Sequence, residues 1–182
     1  MTPFYTAGGD DGTTGFLGKG RISKASARIE AVGSVDEASA ALGMARALCH
    51  TEKTQSILLK IQRLLYKLMS EISASNDLAD KLERLDEGHV AWLEEQIASI
   101  ESEVDIPREF IIPGDSPGSA ALALARTIVR RAERRAVAFY ENSDTSKPVL
   151  LTFLNRLSSL LFILEIYEIS VSGDNIQLAK EA

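Results

Sequence analysis

Cysteine and histidine are nearly missing from this chain. One cysteine, Cys49, and two histidines, His50 and His89, stand among 182 residues. That excludes an internal disulfide framework and a cysteine-based zinc site, and it leaves too few imidazoles for a histidine-rich metal centre. Strand-like alternation is close to absent, and Phe110-Ile111-Ile112 is too short to decide anything. An excess of positive charge is also lacking: 20 Lys and Arg face 26 Asp and Glu, a net charge of −6. Nucleic-acid binders carry the opposite balance, so no nucleic-acid partner is expected. Met1-Thr2-Pro3-Phe4-Tyr5-Thr6 lacks the basic and apolar regions of a signal peptide. The most apolar stretch, Leu150 to Ile169, is broken by Asn155, Arg156, Ser158, Ser159, Glu165 and Glu168 and would span a bilayer poorly. A cytoplasmic protein without a membrane partner is the expectation.

What is present is helical periodicity. The chain is 45% hydrophobic and 25% charged, enough for one domain, 1–182, with a core of its own. Residues 1–24 form a glycine-rich arm holding Gly8, Gly9, Gly12, Gly15, Gly18 and Gly20. Beyond it, Ile29, Val32, Val35, Leu42, Ala45 and Leu48 recur at helical spacing, as do Ile57, Ile61, Leu64, Leu65, Leu68 and Ile72. Val90, Leu93, Ile97 and Ile100 predict a third helix entered at Asp86, a suitable N-cap. Ser116-Pro117 opens a fourth, running from about Gly118 to Tyr140; Asn142-Ser143-Asp144 ends it, and Pro148 marks the start of a fifth. Short connections between long helices favour antiparallel neighbours. The fold expected is all-α, an up-and-down five-helix bundle over 25–182 behind the arm.

Polar groups intrude on this pattern in three places. The fourth helix carries Arg126, Arg130, Arg131, Arg134 and Arg135, with Glu133 among them. At 100° per residue its core stripe is Leu122, Ala125, Val129, Ala132 and Ala136. Arg131 and Arg135 point away from that stripe, whereas Arg126, Glu133 and Arg130 follow one margin with Arg134 next outward. Two readings stand: a solvated basic face, or an anion site in which guanidinium forks meet phosphate oxygens. The fifth helix is apolar on nearly every face and belongs in the centre, so Asn155-Arg156 within it must be hydrogen-bonded, to a neighbouring helix end or to a ligand. The arm, Gly8-Gly9-Asp10-Asp11-Gly12-Thr13-Thr14-Gly15, can expose consecutive backbone N–H groups to a polyphosphate, with Lys24 as a point charge, although it is no Walker A loop. His89, Trp92 and Met69 read as ordinary helix residues and Cys49 as a small buried hydrophobe.

Taken in order, these segments resemble the PduO-type ATP:cob(I)alamin adenosyltransferases. The residues that carry the resemblance are Tyr5-Thr6-Ala7-Gly8-Gly9-Asp10-Asp11-Gly12-Thr13-Thr14-Gly15 with Gly20-Arg21-Ile22-Ser23-Lys24, then Ala125 to Arg134, then Leu154-Asn155-Arg156-Leu157-Ser158. Glu30 to Glu37 and Phe110-Ile111-Ile112-Pro113-Gly114 fit between them. The resemblance implies a homotrimer with ATP bound at each subunit interface, and transfer of the 5′-deoxyadenosyl group from ATP to a Co(I) corrinoid with release of triphosphate. It also implies roles. Thr6, Ala7, Gly8, Gly9, Thr14 and Gly15 would wrap ATP, with Lys24 on its phosphates. Arg130, Arg131, Glu133, Arg134 and Asn155 would bind the nucleotide. Asp36 would pair with Arg126 across the subunit boundary, and Phe110 would displace the lower cobalt ligand. Mg2+ would ride on the ATP phosphates rather than on protein side chains. A corrinoid reductase or a cobalamin-dependent acceptor enzyme would be the protein partner. Since cob(I)alamin is itself a strong nucleophile, positioning and charge neutralisation suffice, and no acid–base dyad is needed.

The chain departs from the family pattern at Gly8, Ser39, Asp115, Ala123 and Ser159, where Thr, Asn, Gly, His and Asp are usual. The alternative is a nucleotide-binding regulatory or interaction bundle that has lost transfer activity.

Overall fold

A computed structural model describes residues 5, 7–75, 78, 81–141 and 149–180. The described residues contain five long helices, α1 (Ala27–Leu48), α2 (Glu52–Ser73), α3 (Glu87–Glu101), α4 (Pro117–Glu141) and α5 (Val149–Ser172). Ahead of them stands a hairpin of β1 (Thr13–Thr14) and β2 (Ile22–Ser23). Asn142-Ser143-Asp144 and Pro148, the expected boundary between the last two helices, lie outside the described residues.

The sequence starts each of the first four helices with a side chain that satisfies an orphan N–H. Ser26 accepts from the Ile29 amide, Thr51 from Thr54, and Asp86 from His89. His89 accepts back from the Asp86 amide through Nδ1, which completes a capping box. At α4 the exchange is between serines: Ser119 N donates to Ser116 Oγ at 3.2 Å and Ser116 N to Ser119 Oγ at 2.9 Å.

Helix α1 packs on α2 and α4, α4 on α5, and α5 on α3. The seam between α1 and α4 is built from small residues. Ala31, Ser34, Ala38 and Ala45 are buried on α1, and Ala121, Ala125, Ala132 and Ala136 on α4, with Val35, Leu42, Leu122 and Val129 filling between them. Small side chains allow two helices to approach closely. The first turn of α4 is tight enough against the end of α1 that a β-carbon on Gly118 would lie 3.1 Å from the Leu48 carbonyl oxygen. The stripe expected from periodicity is the buried one.

Arg131 and Arg135 lie away from the stripe, as expected, and are half-exposed; from there they reach across to α1, where Arg131 pairs with Glu37 and Arg135 Nε stands 3.1 Å from Glu30 Oε1. With small residues bringing the helices close, the long side chains on the flank of α4 span to the outer edge of α1. These exposed pairs are each worth less than about 1 kcal/mol and serve more as register marks than as stabilisers.

Helix α5 is long and apolar enough to cross a membrane by length and composition, yet here it is the core of the bundle. Phe153, Leu154, Leu157, Leu160, Leu161 and Leu164 are fully buried. One expectation is corrected here. Asn155 is exposed rather than enclosed, because α5 leaves open a strip formed by Thr152, Asn155 and Ser159. The spacing of those three is helical, so the open strip is a narrow line on an otherwise enclosed cylinder.

Two carboxylates on α5, Glu165 and Glu168, are both 0% exposed. Glu168 is fully used. It accepts from the His50 amide at 2.7 Å and from the Thr51 hydroxyl at 2.8 Å, and so ties the end of α5 to the turn between α1 and α2. Beside it Cys49 is buried, and desolvation together with the Glu168 charge pushes its thiol up to about 12. Substituting Glu168→Ala strands the His50 and Thr51 donors in an apolar setting. The expected loss is about 3 kcal/mol in urea unfolding, with Glu168→Gln retaining about half of the interaction.

Candidate functional site

The arm is not a loose glycine tract. β1 and β2 pair antiparallel, with Thr13 opposite Ser23 and Thr14 opposite Ile22. Gly12 (φ 80°) and Gly20 (φ 93°) occupy the left-handed region that such tight reversals require. Arg21 is the staple of this loop: its Nε donates to Thr13 Oγ1 at 2.7 Å, and Nη2 donates to the carbonyls of Thr13 and Gly8. Lys24 Nζ donates to the Gly9 carbonyl at 2.7 Å. Asp11 accepts from the hydroxyl and the amide of Thr13, and these bonds hold its carboxyl below the usual carboxylate range. A β-carbon on Gly9 would sit 3.0 Å from Lys24 Nζ, so any larger residue would make the ammonium shift. Ala7 has a positive φ of 54° and accepts from the Asp10 amide, while Gly15 has open space around it. Thr6 lies outside the described residues.

The arm docks on the end of α2. Leu17 N donates to the Ser73 carbonyl at 3.0 Å and Ser75 N to the Leu17 carbonyl at 2.6 Å. Arg28, in the first turn of α1, bonds the Ala74 carbonyl and lies between two rings, 5.5 Å from the Phe16 centroid and 5.2 Å from that of Phe139. One guanidinium thus links the arm, α1, α2 and α4.

Two turns back along α4 from Phe139 opens a cavity of about 310 Å³, lined by Arg130, Glu133, Arg134, Val137 and Asn155. Asn155 Nδ2 donates to Glu133 Oε1 at 3.1 Å, and its Oδ1 accepts from Arg156 Nη1 at 2.9 Å. Arg156 is itself held by Glu94 on α3. Arg134 Nη1 donates to the Arg130 carbonyl, and Arg130 is exposed. The cavity therefore presents guanidinium donors beside one carboxylate and one amide, a set suited to a polyanion that also carries hydroxyls.

A second cavity, about 370 Å³, is lined by Arg108, Glu109, Phe110, Ile111, Arg126 and Phe162. Phe110 is 87% exposed, and its backbone is held from elsewhere. The C-terminal segment holds it: Ala179 N donates to the Phe110 carbonyl at 2.7 Å and Ile112 N to the Gln177 carbonyl at 2.8 Å. Asp115 accepts from the Gln177 amide at 3.1 Å. Arg126 lies over Phe162, 5.7 Å from its centroid, with its Nε 3.9 Å from Glu165 Oε2. Neither that Nε nor either oxygen of Glu165 has a hydrogen-bond partner. Burial pushes the Glu165 carboxyl up to about 7, with Arg126 pulling it down and Asp115 pushing it further up.

Arg126, Arg130, Arg134 and Phe139 mark successive places along α4, so the two cavities and the arm's anchor share about 20 Å of one helix. The structure brings Arg130, Glu133, Arg134 and Asn155 together, and places Phe110 with Arg126. Asp36 is exposed on α1 and is not paired with Arg126 of the same chain, whose nearby carboxylate is Glu165. Arg131 faces Glu37 rather than the cavity. Sequence reasoning passed over Arg21 and Arg28 as anchors of the arm. It counted Glu165 only as an interruption of an apolar stretch, and that interruption was the available signal.

Comparison with known proteins bears on the same residues. A family model for cobalamin adenosyltransferase matches residues 4–168. A corrinoid adenosyltransferase of Mycobacterium tuberculosis is 39% identical over 169 residues, covering 90% of this chain and 87% of the relative. One from Bacillus subtilis is 37% identical over 162 residues, covering 87% and 82%. Among solved structures, a variant PduO-type ATP:corrinoid adenosyltransferase from Lactobacillus reuteri complexed with cobalamin and ATP superposes with a TM-score of 0.91 at 30% identity. It covers 98% of this chain and 100% of that one.

The buried, unpartnered Glu165 makes stability depend on pH. Its carboxyl ionises near 4.5 in the unfolded chain and near 7 in the fold, so the stability of the neutral form is whole below about pH 4.5 and is lost as pH rises through about 7. Glu165→Gln removes this titration. The expected thermal midpoint of the variant exceeds that of the parent by roughly 5 °C at pH 8, and the two converge toward pH 5.

Proposed function

The chain belongs to the cobalamin adenosyltransferase family, and we propose that it transfers the 5′-deoxyadenosyl group of ATP to the cobalt of a reduced corrinoid, making adenosylcobalamin and releasing triphosphate. The observation that carries this is the convergence of Arg130, Glu133, Arg134 and Asn155 on one open cavity of α4 and α5. The cobalt of cob(I)alamin supplies the electron pair that forms the Co–C5′ bond, and the C5′–O bond breaks with its pair leaving on triphosphate. The protein's share is to hold C5′ in line with cobalt and to neutralise the departing charge.

Each residue group suits part of that task. Arg130 and Arg134 face the phosphates, and Glu133 with Asn155 orients the nucleoside. Residues 1–24 are the nucleotide-binding arm, in which Thr6, Ala7, Gly8, Gly9, Thr14 and Gly15 wrap ATP and Lys24 exchanges the Gly9 carbonyl for a phosphate oxygen. Arg131 joins the site on release from Glu37. Mg2+ arrives with the nucleotide, held by its phosphates. Phe110, held out from the surface, takes the place of the lower cobalt ligand, and the Phe110 cavity receives the corrinoid.

A homotrimer completes the site, with Asp36 of one subunit meeting Arg126 of the next. Exposed apolar side chains on the α1–α4 face, Met44 (56%) and Leu124 (52%), support a covered surface there. A reducing, cytoplasmic setting suits both a Co(I) substrate and a chain with one thiol. The protein partner is a reductase that supplies Co(I) or an acceptor enzyme that receives the product.

The test is an anaerobic absorbance assay with Mg·ATP and chemically reduced cob(I)alamin. A light-sensitive alkylcobalamin whose formation requires ATP is the expected product. Arg130→Ala is expected to lower turnover by roughly 100-fold while the helical content and thermal midpoint stay at the parent's values. ATP binding without product would establish the regulatory bundle instead, and absence of both would make the arginine row a solvated face.

A further inference from the structure

The two buried carboxylates of α5 show what this fold does with a structural charge and what it does differently three residues earlier. Glu168 receives two donors. Glu165, equally buried, receives none. Its neighbours Leu161, Leu164 and Ile166 are apolar, so a leucine there would fill the space without removing a charge from water. Among the described residues the cation in reach is Arg126, whose buried Nε is likewise without a hydrogen-bond partner and faces the carboxylate across 3.9 Å. That gap is longer than a hydrogen bond but short for two charges in an apolar setting. Arg126 is also a wall of the Phe110 cavity, lying over Phe162.

We propose that Glu165 is a positioning residue for Arg126: from inside α5 its carboxylate draws the guanidinium flat over Phe162 and so shapes the wall of the Phe110 cavity where the corrinoid is received. The cavity's role as corrinoid site rests on the proposed function; the pull of Glu165 on Arg126 does not. The ionised carboxylate holds Arg126 toward α5, and the neutral form releases it outward toward the surface that meets Asp36 of a neighbouring subunit. The charged groups that act on Glu165 are Arg126 from α4 and Asp115 from the loop before it, while Glu94 on the facing α3 is taken by Arg156. The arrangement gives one arginine two carboxylate partners, its own chain's and a second copy's, and makes the choice between them sensitive to protonation of a group near neutrality.

The experiment compares the full chain with Glu165→Gln, which keeps the shape and removes the charge, and Glu165→Asp, which keeps the charge and shortens its reach. In the protein without nucleotide or corrinoid, the Arg126 Nε–H resonance is followed by 15N NMR from about pH 6 to pH 8, assigned by its loss in Arg126→Lys. The resonance is expected to titrate in the parent and in Glu165→Asp and to stay fixed in Glu165→Gln. In the transfer assay, Glu165→Gln is expected to raise KM for cob(I)alamin by about 5- to 10-fold with KM for ATP within about twofold, and Glu165→Asp to recover part of that loss. An Arg126 resonance that behaves alike in the parent and Glu165→Gln overturns the proposal. So does an equal rise in both KM values, which would mark a distorted core. A parent with no transfer activity overturns the proposed function instead, and the resonance still decides the role of Glu165.

Discussion

The structure depends on how closely α4 can lie against α1. Alanines on both faces of that seam bring the two helices together, and this proximity sets the azimuth of α4. Once the alanine stripe is committed to α1 and the core, the two flanks of the helix are committed as well. Arg131 and Arg135 fall on the α1 side and meet Glu37 and Glu30. Arg126, Arg130, Glu133 and Arg134 fall on the side of α5. A bulky residue in the seam would rotate or displace α4 and misalign every cation on it, so the packing of small apolar groups is what gives the arginines their addresses.

Helix α5 then decides which of those addresses are usable. It is buried almost all round and could have sealed the flank of α4, but Thr152, Asn155 and Ser159 keep one strip open, and the cavity of Arg130, Glu133 and Arg134 opens beside Asn155. Arg156 on the neighbouring azimuth is anchored by Glu94 and in turn donates to Asn155, so the amide that lines the cavity is oriented from α3. The site is a product of three helices although only two supply its lining.

Much of this was legible in the residues, for a physical reason. Long helices repeat their apolar face many times, so the stripes of α1, α2 and α4 and the cap at Asp86 stood out against noise. The hairpin in the arm did not, because a strand of two residues has no period; its only trace was glycine where Gly12 and Gly20 turn the chain. The enclosure expected for Asn155 failed because hydropathy counts composition around a helix and cannot say which strip lacks a neighbour. The outward placement of Arg131 and Arg135 was legible, but their partners Glu37 and Glu30 were not, because a wheel shows direction and not how near the next helix lies. Glu165 and Glu168 looked alike in sequence, and only packing separates the carboxylate with two donors from the one with none.

The state of the arm has a consequence for binding. Two of its cations are engaged with carbonyl oxygens, Arg21 with those of Gly8 and Thr13 and Lys24 with that of Gly9. A phosphate oxygen is a stronger acceptor than a carbonyl, so a polyphosphate arriving at the loop can exchange for the Gly9 carbonyl at Lys24 without first having to order the side chain. In the proposed exchange, releasing Gly9 would free that segment to move, while Arg21 goes on holding Thr13 and Arg28 keeps the arm's far end near Phe139. Because Phe139 belongs to the same helix as Arg130 and Arg134, a loop that closes on a nucleotide does so from an anchor fixed relative to the arginine cavity. If the arm binds the nucleotide as proposed, the order already present in it would lower the entropy lost on binding, and the exchange at Lys24 would supply the freedom that closure needs.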